Sequence, residues 1–276
     1  MIKRLFSDIA ASYDRMNRIL SLGRDVRWRE SAVRLVRSQP KRILDLACGT
    51  GDFAFSLARR FPDIATSYDR MNRILSLGRD VRWRKSAVRL VRSRPQRILD
   101  LACGTGDFAF TLARHFPDTP IAGVDLTPAM LDLARRKNQS PHITFQEGNA
   151  QDLAEFKNKT FSLVTCAFGF RNFPDPTAAL REVRRVLDDG GELIVLEFFR
   201  PRHHLLGLLT ALWVKTLARL FAKRHTDAYG YLTASMRATV SAAEFAVLAD
   251  AAGFTLAERR FFWPCCTCLR LVARLT

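Results

Sequence analysis

Long hydrophobic runs are missing from this chain of 276 residues. The most apolar stretch, residues 205–214, ends at Lys215, whereas a helix needs about 20 apolar residues to cross a bilayer. The first residues also lack the apolar segment of a signal peptide. We therefore expect a cytoplasmic protein, which can lie against the inner face of a membrane without crossing it.

Acidic residues and cysteines are also few. There are 27 Asp and Glu against 44 Lys and Arg, a formal charge of +17, which favours an anionic membrane, nucleic acid or a phosphorylated ligand as neighbour. Basic and aromatic residues do not alternate as in single-strand binders, so nucleic acid is the least favoured partner. The six cysteines are expected to be thiols, and because Cys265 and Cys268 have no second ligand pair, we predict no metal site.

The most unusual feature present is a repeat. Residues 8–62 recur as residues 63–117, shifted by 55 positions, and 49 of the 55 residues are identical. The six differing pairs are Ala11/Thr66, Glu30/Lys85, Gln39/Arg94, Lys41/Gln96, Ser56/Thr111 and Arg60/His115. Solenoid repeats diverge further and need three or more copies to build a core. The pattern therefore indicates a tandem duplication.

We predict that residues 63–276 form the working domain and that residues 1–62 are a duplicated segment, peripheral or partly ordered. The second copy leads directly into the next predicted strand at Ile121, as short connections require. If the first copy supplied that part of the sheet instead, the additional loop would cost only about 1–2 kcal/mol. A homodimer in which the first copy completes a partner's sheet therefore stays open.

Short apolar strands alternate with amphipathic helices from residue 97 onward. Strands are predicted at residues 97–101, 121–125, 142–147, 161–166, 192–198, 255–262 and 266–274, and helices at residues 106–115, 127–137, 174–187 and 241–252. This alternation predicts an α/β fold with a doubly wound, mostly parallel seven-stranded sheet and helices on both faces. Ligands of such sheets bind at the carboxyl ends of the strands.

Three of these strand ends carry residues suited to an adenosine ligand. Gly104 and Gly106 follow the first strand and let a ligand approach the backbone. The second strand ends in Asp125, which can accept ribose hydroxyls. The third ends near Asn149 and Ala150, where an amide side chain and a backbone amide can contact an adenine edge.

The glycines alone leave two cofactors open, because Gly104, Gly106 and Ala109 also fit the dinucleotide fingerprint. Asp100, at the end of the first strand, favours S-adenosylmethionine. Its carboxylate suits a ligand with ammonium and sulfonium groups and is unhelpful beside a pyrophosphate. The alternative without a ligand is an ordinary strand-to-helix turn with solvated acids.

The sequence resembles the ubiquinone/menaquinone biosynthesis C-methyltransferases in several segments. These are residues 6–17 with their echo at 64–72, 99–107, 168–172, 196–201, and 229–232 with Ser235. The resemblance implies a Rossmann-like class I methyltransferase fold with a helical lid, at about residues 203–240. It also implies S-adenosylmethionine as cofactor, bound through Thr105, Asp125, Asn149 and Ala150.

For the acceptor, the resemblance implies a prenylated quinol, most simply demethylmenaquinol, faced by Arg171, Asn172 and Tyr68. A guanidinium stays protonated, so Arg171 would hold a phenolate or a water rather than act as a base. A salt bridge within the loop is the alternative for Arg171. Glu197 either accepts the proton or has no chemical role.

The predicted lid has an apolar face and a basic one. Leu205 and Trp213 belong to the apolar face, and Lys215 and Arg219 lie behind it, which would suit docking on an anionic membrane that holds the prenyl tail. A helix buried in its own core is the alternative. Methyl transfer to another small acceptor at oxygen or nitrogen, an NAD-dependent oxidoreductase, and a non-catalytic basic binding protein remain as competing functions.

Overall fold

The computed structural model describes residues 76, 78–200, 239–262 and 266–275. All of them belong to the second of two units into which the chain divides, Asp69–Thr276. The predictions for the first copy, for Tyr68 and for nearly all of the lid at residues 203–240 lie outside the described residues.

The described chain alternates strands and helices as the sequence predicts. In order, the elements are α1 (Arg79–Val88), β1 (Ile98–Leu101), α2 (Asp107–His115), β2 (Ile121–Asp125), α3 (Pro128–Lys137), β3 (Ile143–Glu147), β4 (Phe161–Ala167), a 3-10 turn (Phe170–Asn172), α4 (Pro176–Val186), β5 (Leu187–Glu197), α5 (Ala242–Ala251), β6 (Phe254–Phe262) and β7 (Cys266–Ala273).

The seven strands form one sheet in the order β3-β2-β1-β4-β5-β7-β6. Neighbours from β3 to β5 pair in parallel, whereas β7 pairs antiparallel with both β5 and β6. The predicted doubly wound, mostly parallel seven-stranded fold is therefore confirmed. The strand order reverses between β1 and β4, so right-handed crossovers place α2 and α3 on one face and α4 on the other. A ligand is expected at this reversal, in the crevice at the carboxyl ends of the strands.

Burial explains why these strands occupy the centre of the sheet. Every residue of β1 is buried, and so is every residue of β5 from Gly191 to Glu197. Strands covered on both faces need this near-continuous apolar character. β6, at the edge, is buried only at Phe254.

Two local predictions were wrong in detail. β5 begins at Leu187, five residues before the predicted strand start at residue 192, with Gly190 at a φ of +75° and a register irregularity opposite the start of β4. Thr127, the first residue of the predicted helix, lies outside α3, which begins at Pro128, and its side chain hydrogen-bonds Asp125 rather than capping the helix. By contrast, Ser241 and Glu244 form a capping box at α5.

Candidate functional site

The glycine turn after β1 is folded by hydrogen bonds on both sides. The Gly106 amide donates to the Cys103 carbonyl at 2.9 Å, and the Cys103 amide donates to Val124 of β2 at 3.0 Å. Gly104 and Gly106 have φ values of +55° and +85°, which glycine adopts freely. Ala102 has a φ of +52°, a strained conformation for a residue with a side chain.

The two glycines serve different purposes. A Cβ at Gly106 would lie 2.9 Å from the rings of Phe110 and Phe145, whereas a Cβ at Gly104 would meet no atom within 4 Å. Gly106 is therefore needed for packing. Gly104 borders open space, where a ligand can approach the backbone.

Asp100 is a buried carboxylate with one oxygen unsatisfied. It is 1% exposed, its Oδ1 accepts a hydrogen bond from Thr165 Oγ1 at 2.8 Å, and its Oδ2 has no hydrogen-bond partner in the described part of the chain. Burial raises the pKa of Asp100 to about 7, against the lowering effects of the Thr165 hydrogen bond, the Arg84 guanidinium and the backbone amide of Ala109. An unsatisfied buried oxygen of this kind marks a place for a cationic ligand group.

Asp125 lies at the same edge of the sheet. Asp100 of β1 pairs with Gly123 of β2, so Asp125 follows just beyond it at the carboxyl end. Its Oδ2 accepts from the Gly104 amide at 2.8 Å and its Oδ1 from the Thr127 amide at 2.9 Å. Burial raises the pKa of Asp125, and these two backbone hydrogen bonds, together with one from the Thr127 side chain, oppose the rise. A carboxylate has about four lone-pair sites, so beside these three donors Asp125 can also accept a ribose hydroxyl.

The third predicted strand end joins the same site. The Gly148 amide donates to the Asp125 carbonyl at 3.1 Å, which holds the end of β3 beside that of β2. Asn149 is exposed and its Oδ1 accepts from the Gln151 amide at 3.0 Å, while Ala150 is buried. The structure therefore brings the predicted loop, ribose acid and adenine-edge residues together.

Sequence reasoning missed two side chains that support this site. Lys137, the last residue of α3, donates from Nζ to Thr105 Oγ1 at 2.8 Å and lies 3.5 Å from Asp107 Oδ1. No spacing in the sequence signals that contact. Thr165 stands directly opposite Asp100 in the β1–β4 register, and this pairing becomes visible only once the strand order is known.

Arg171 and Asn172 form the 3-10 turn after β4, on the other side of the strand-order reversal. The guanidinium of Arg171 forms an ion pair with Glu197 at 2.7 Å, and both side chains are 1% exposed. Arg171 Nη1 also donates to the Phe168 carbonyl at 2.7 Å, and Asn172 Nδ2 donates to the same carbonyl at 3.3 Å. Arg171 therefore forms a salt bridge, which the sequence analysis gives as the alternative to a role at the acceptor. Its contact with an acceptor stays a prediction.

Glu197 anchors this turn to the end of β5. Besides the guanidinium, it accepts from the Arg171 amide at 3.2 Å and from the Phe198 amide at 2.8 Å. Phe168 has a φ of +61° and stacks on Phe198 with ring centroids 4.8 Å apart. Strained non-glycine backbone thus occurs at the ends of both β1 and β4, which flank the expected ligand crevice.

Two predicted features cannot be placed. Tyr68 and the lid face with Leu205 and Trp213 lie outside the described residues. Among the residues that are described, no helix is both long and apolar enough to cross a membrane.

Comparisons with known proteins match this architecture. The profile of the ubiE/COQ5 methyltransferase family matches residues 1–63 and, separately, residues 58–269. A demethylmenaquinone methyltransferase of Deinococcus radiodurans is 42% identical over 200 residues, covering 70% of this chain and 83% of the relative. One of Thermus thermophilus is 41% identical over 202 residues, covering 71% and 91%.

Solved structures agree on the fold. A Haloferax volcanii methyltransferase, solved in complex with the Trm112 methyltransferase activator, aligns with a TM-score of 0.57 and 17% identity, covering 79% of this chain and 99% of that one. An S-adenosylmethionine-dependent methyltransferase of Thermotoga maritima aligns with a TM-score of 0.56 and 20% identity, covering 79% and 100%. At such identities the likeness concerns the fold alone.

Proposed function

The chain belongs to the ubiE/COQ5 methyltransferase family. From this premise we propose that it methylates a ring carbon of a prenylated quinol, with demethylmenaquinol as the preferred acceptor. Membership makes the chain a methyltransferase with S-adenosylmethionine as its methyl donor, as the sequence analysis predicts. The choice of acceptor rests on relatives that bear the name demethylmenaquinone methyltransferase.

The main support for the proposal is the unsatisfied Oδ2 of Asp100 in β1, together with the open space at Gly104 in the turn that follows this strand. An ammonium group at Oδ2 would complete the hydrogen bonding of this carboxylate and favour its ionised form. Asp125, on the neighbouring strand, would hold the ribose hydroxyls, and Asn149 and Ala150 the adenine edge. When bound, the donor supplies an electrophilic methyl group on its sulfonium.

The acceptor is proposed to lie between this donor site and the 3-10 turn. A quinol ring carbon becomes a better nucleophile as a phenolic proton leaves, so the protein mainly has to orient the ring and stabilise negative charge. Arg171 and Asn172 remain the proposed acceptor-side residues, together with Tyr68. What supports the first two is their place directly after β4, next to β1 at the strand-order reversal.

Within this proposal, Arg171 supplies positive charge and Glu197 holds it in position. Glu197 is fully engaged by the guanidinium and by two backbone amides, which supports an anchoring role over that of a proton acceptor. A second proposed role for the pair is to fix the 3-10 turn, and with it Asn172, against the carboxyl end of β5.

The remaining proposals concern the first copy and the membrane. Residues 63–276 are proposed to contain the only donor site, because residues 1–62 carry Asp45 and the glycine turn but no ribose acid behind them. The basic charge of the chain and the pattern of the lid support a peripheral position on the cytoplasmic face of an anionic membrane, where a prenylated acceptor resides. A homodimer, in which the first copy completes the sheet of a partner, also remains a proposal.

The test is methyl transfer by the full chain from labelled S-adenosylmethionine under reducing conditions. The acceptors are demethylmenaquinol, a demethylated ubiquinol precursor, and a panel of small phenols and amines. Label on the ring carbon of demethylmenaquinol is the expected result. Turnover only at oxygen or nitrogen of the panel would reject the quinol acceptor and leave the methyltransferase assignment intact.

A further inference from the structure

We propose that a cationic pocket between α1 and α2 binds a phosphate group. The pocket has a volume of about 260 Å³ and is lined by Lys85, Val88, Arg89, Thr111, Arg114 and His115. Ligand pockets for larger organic molecules have volumes of about 300–1,000 Å³, so this one suits a compact group. The inference does not depend on the proposed acceptor.

The charges of the pocket are not neutralised by any residue that the structure describes. Three of its side chains, Lys85, Arg89 and Arg114, are cationic at neutral pH, and none of the described residues that line it is acidic. Within the described residues, no carboxylate lies within 4.0 Å of their charged groups, whereas Arg135, Arg184 and Arg185 near the ends of α3 and α4 each have an acidic partner.

The three cations of the pocket are exposed, so water and salt screen their mutual repulsion when no ligand is bound. Lys85 and Arg89 are separated by one helical turn, and like charges at this spacing repel each other. The dipole of each helix favours a cation near its own carboxyl end, but this does not require the cations of two helices to converge on one cavity. A bound dianion would relieve the repulsion and accept charge-assisted hydrogen bonds from both helices.

The pocket is separate from the donor site. α2 begins directly after Gly106 of the donor turn, and Arg114 lies eight residues further along, which is about 12 Å at 1.5 Å per residue. The donor itself carries no phosphate, so it cannot be the ligand here. Phosphate can come from a free phosphorylated molecule or from a phospholipid headgroup, and the two sources need separate arms of the experiment.

The first arm titrates inorganic phosphate into the full chain at constant ionic strength, followed by calorimetry. The variants are Lys85→Glu, which introduces the residue present at position 30 of the first copy, and Arg114→Met. Lys157→Glu, an exposed charge reversal outside the pocket, is the matched control. Lys85→Met serves as a milder variant, and thermal unfolding with S-adenosylmethionine binding shows that each variant is folded.

We expect one saturable phosphate site in the wild type. The affinity for phosphate should be at least about tenfold weaker in the pocket variants, because each of them loses a charge-assisted hydrogen bond. The control should stay within about twofold. No saturable binding in the wild type, or an equal loss in the Lys157→Glu control, would overturn the proposal.

The second arm measures binding to vesicles of phosphatidylglycerol and phosphatidylcholine, with phosphatidylcholine vesicles for comparison. If Lys85→Met loses more vesicle binding than Lys157→Met does, the phosphate comes from a lipid headgroup and the proposal is supported. Equal losses, together with the phosphate result of the first arm, support a free phosphorylated ligand.

Discussion

Replacing Asp100 by asparagine should stabilise the protein without donor, and the gain should grow with pH. Burial raises the pKa of Asp100 from 3.8 to about 7, and each pKa unit corresponds to about 1.36 kcal/mol. Ionised Asp100 therefore costs the fold on the order of 4 kcal/mol above pH 7. The uncharged amide of the Asp100→Asn variant has no such cost, and its oxygen can still accept from the Thr165 hydroxyl.

The sign follows from proton binding. Between about pH 4 and pH 7 the folded protein holds a proton on Asp100 that the unfolded chain has lost, so the stability of the wild type falls as pH rises through this window. The free energy of unfolding of Asp100→Asn, relative to the wild type, should therefore rise by about 4 kcal/mol between pH 4 and pH 8. Below pH 4, Asp100 is protonated in both the folded and the unfolded state, so its destabilising effect on the wild type disappears.

The assay is urea unfolding of both proteins side by side at a series of pH values, without donor. Asp118→Asn, at an exposed carboxyl, is the control and should show no such trend. Saturating S-adenosylmethionine should reduce the difference at pH 8, because the wild type alone regains a partner for Oδ2. A difference that is constant across pH, or an asparagine variant that is less stable at pH 8, would refute the assignment of Asp100 as a buried, unsatisfied acid.

Three further predictions follow from the same contacts. Gly104→Ala should weaken donor binding at least about tenfold in calorimetry. It should lower stability by only about 1–2 kcal/mol, since its Cβ would meet no atom within 4 Å. Gly49→Ala is the matched control, and equal losses of donor affinity in the two variants would contradict a single site. Arg171→Met should destabilise by about 3–5 kcal/mol in urea unfolding, because Glu197 is left buried without its partner. Adding Glu197→Gln should restore much of this stability but not methyl transfer, and full activity of the double variant would remove Arg171 from the acceptor side. Lys137→Met should raise the KM for the donor a few-fold with little change in kcat, and a fall in kcat alone would contradict a role in holding the donor turn.

The donor side of the site could be predicted because its residues lie at strand ends. In β1 and β2, the apolar run of a buried parallel strand ends close to an acid, Asp100 or Asp125, so the chain itself marks the carboxyl edge of the sheet. Fold class and cofactor follow from that edge, together with the glycine turn between β1 and α2.

Contacts between side chains on different strand ends were beyond sequence reasoning. The hydrogen bond from Thr165 to Asp100 depends on β4 lying next to β1, and the Arg171–Glu197 pair depends on β5 lying next to β4. Both are set by strand order and register, which a single sequence does not encode locally. The same holds for Lys137, which lies at the end of α3 and donates to Thr105 in the glycine turn before α2.

We propose that one S-adenosylmethionine binds to the chain, where β1, β2 and β3 end. Calorimetric titration of the full chain with S-adenosylmethionine, and separately with NADH, measures this directly. We expect one bound S-adenosylmethionine per chain, no NADH binding, and a loss of donor affinity in Asp100→Asn. Absence of donor uptake, or two bound donors per chain, would contradict it.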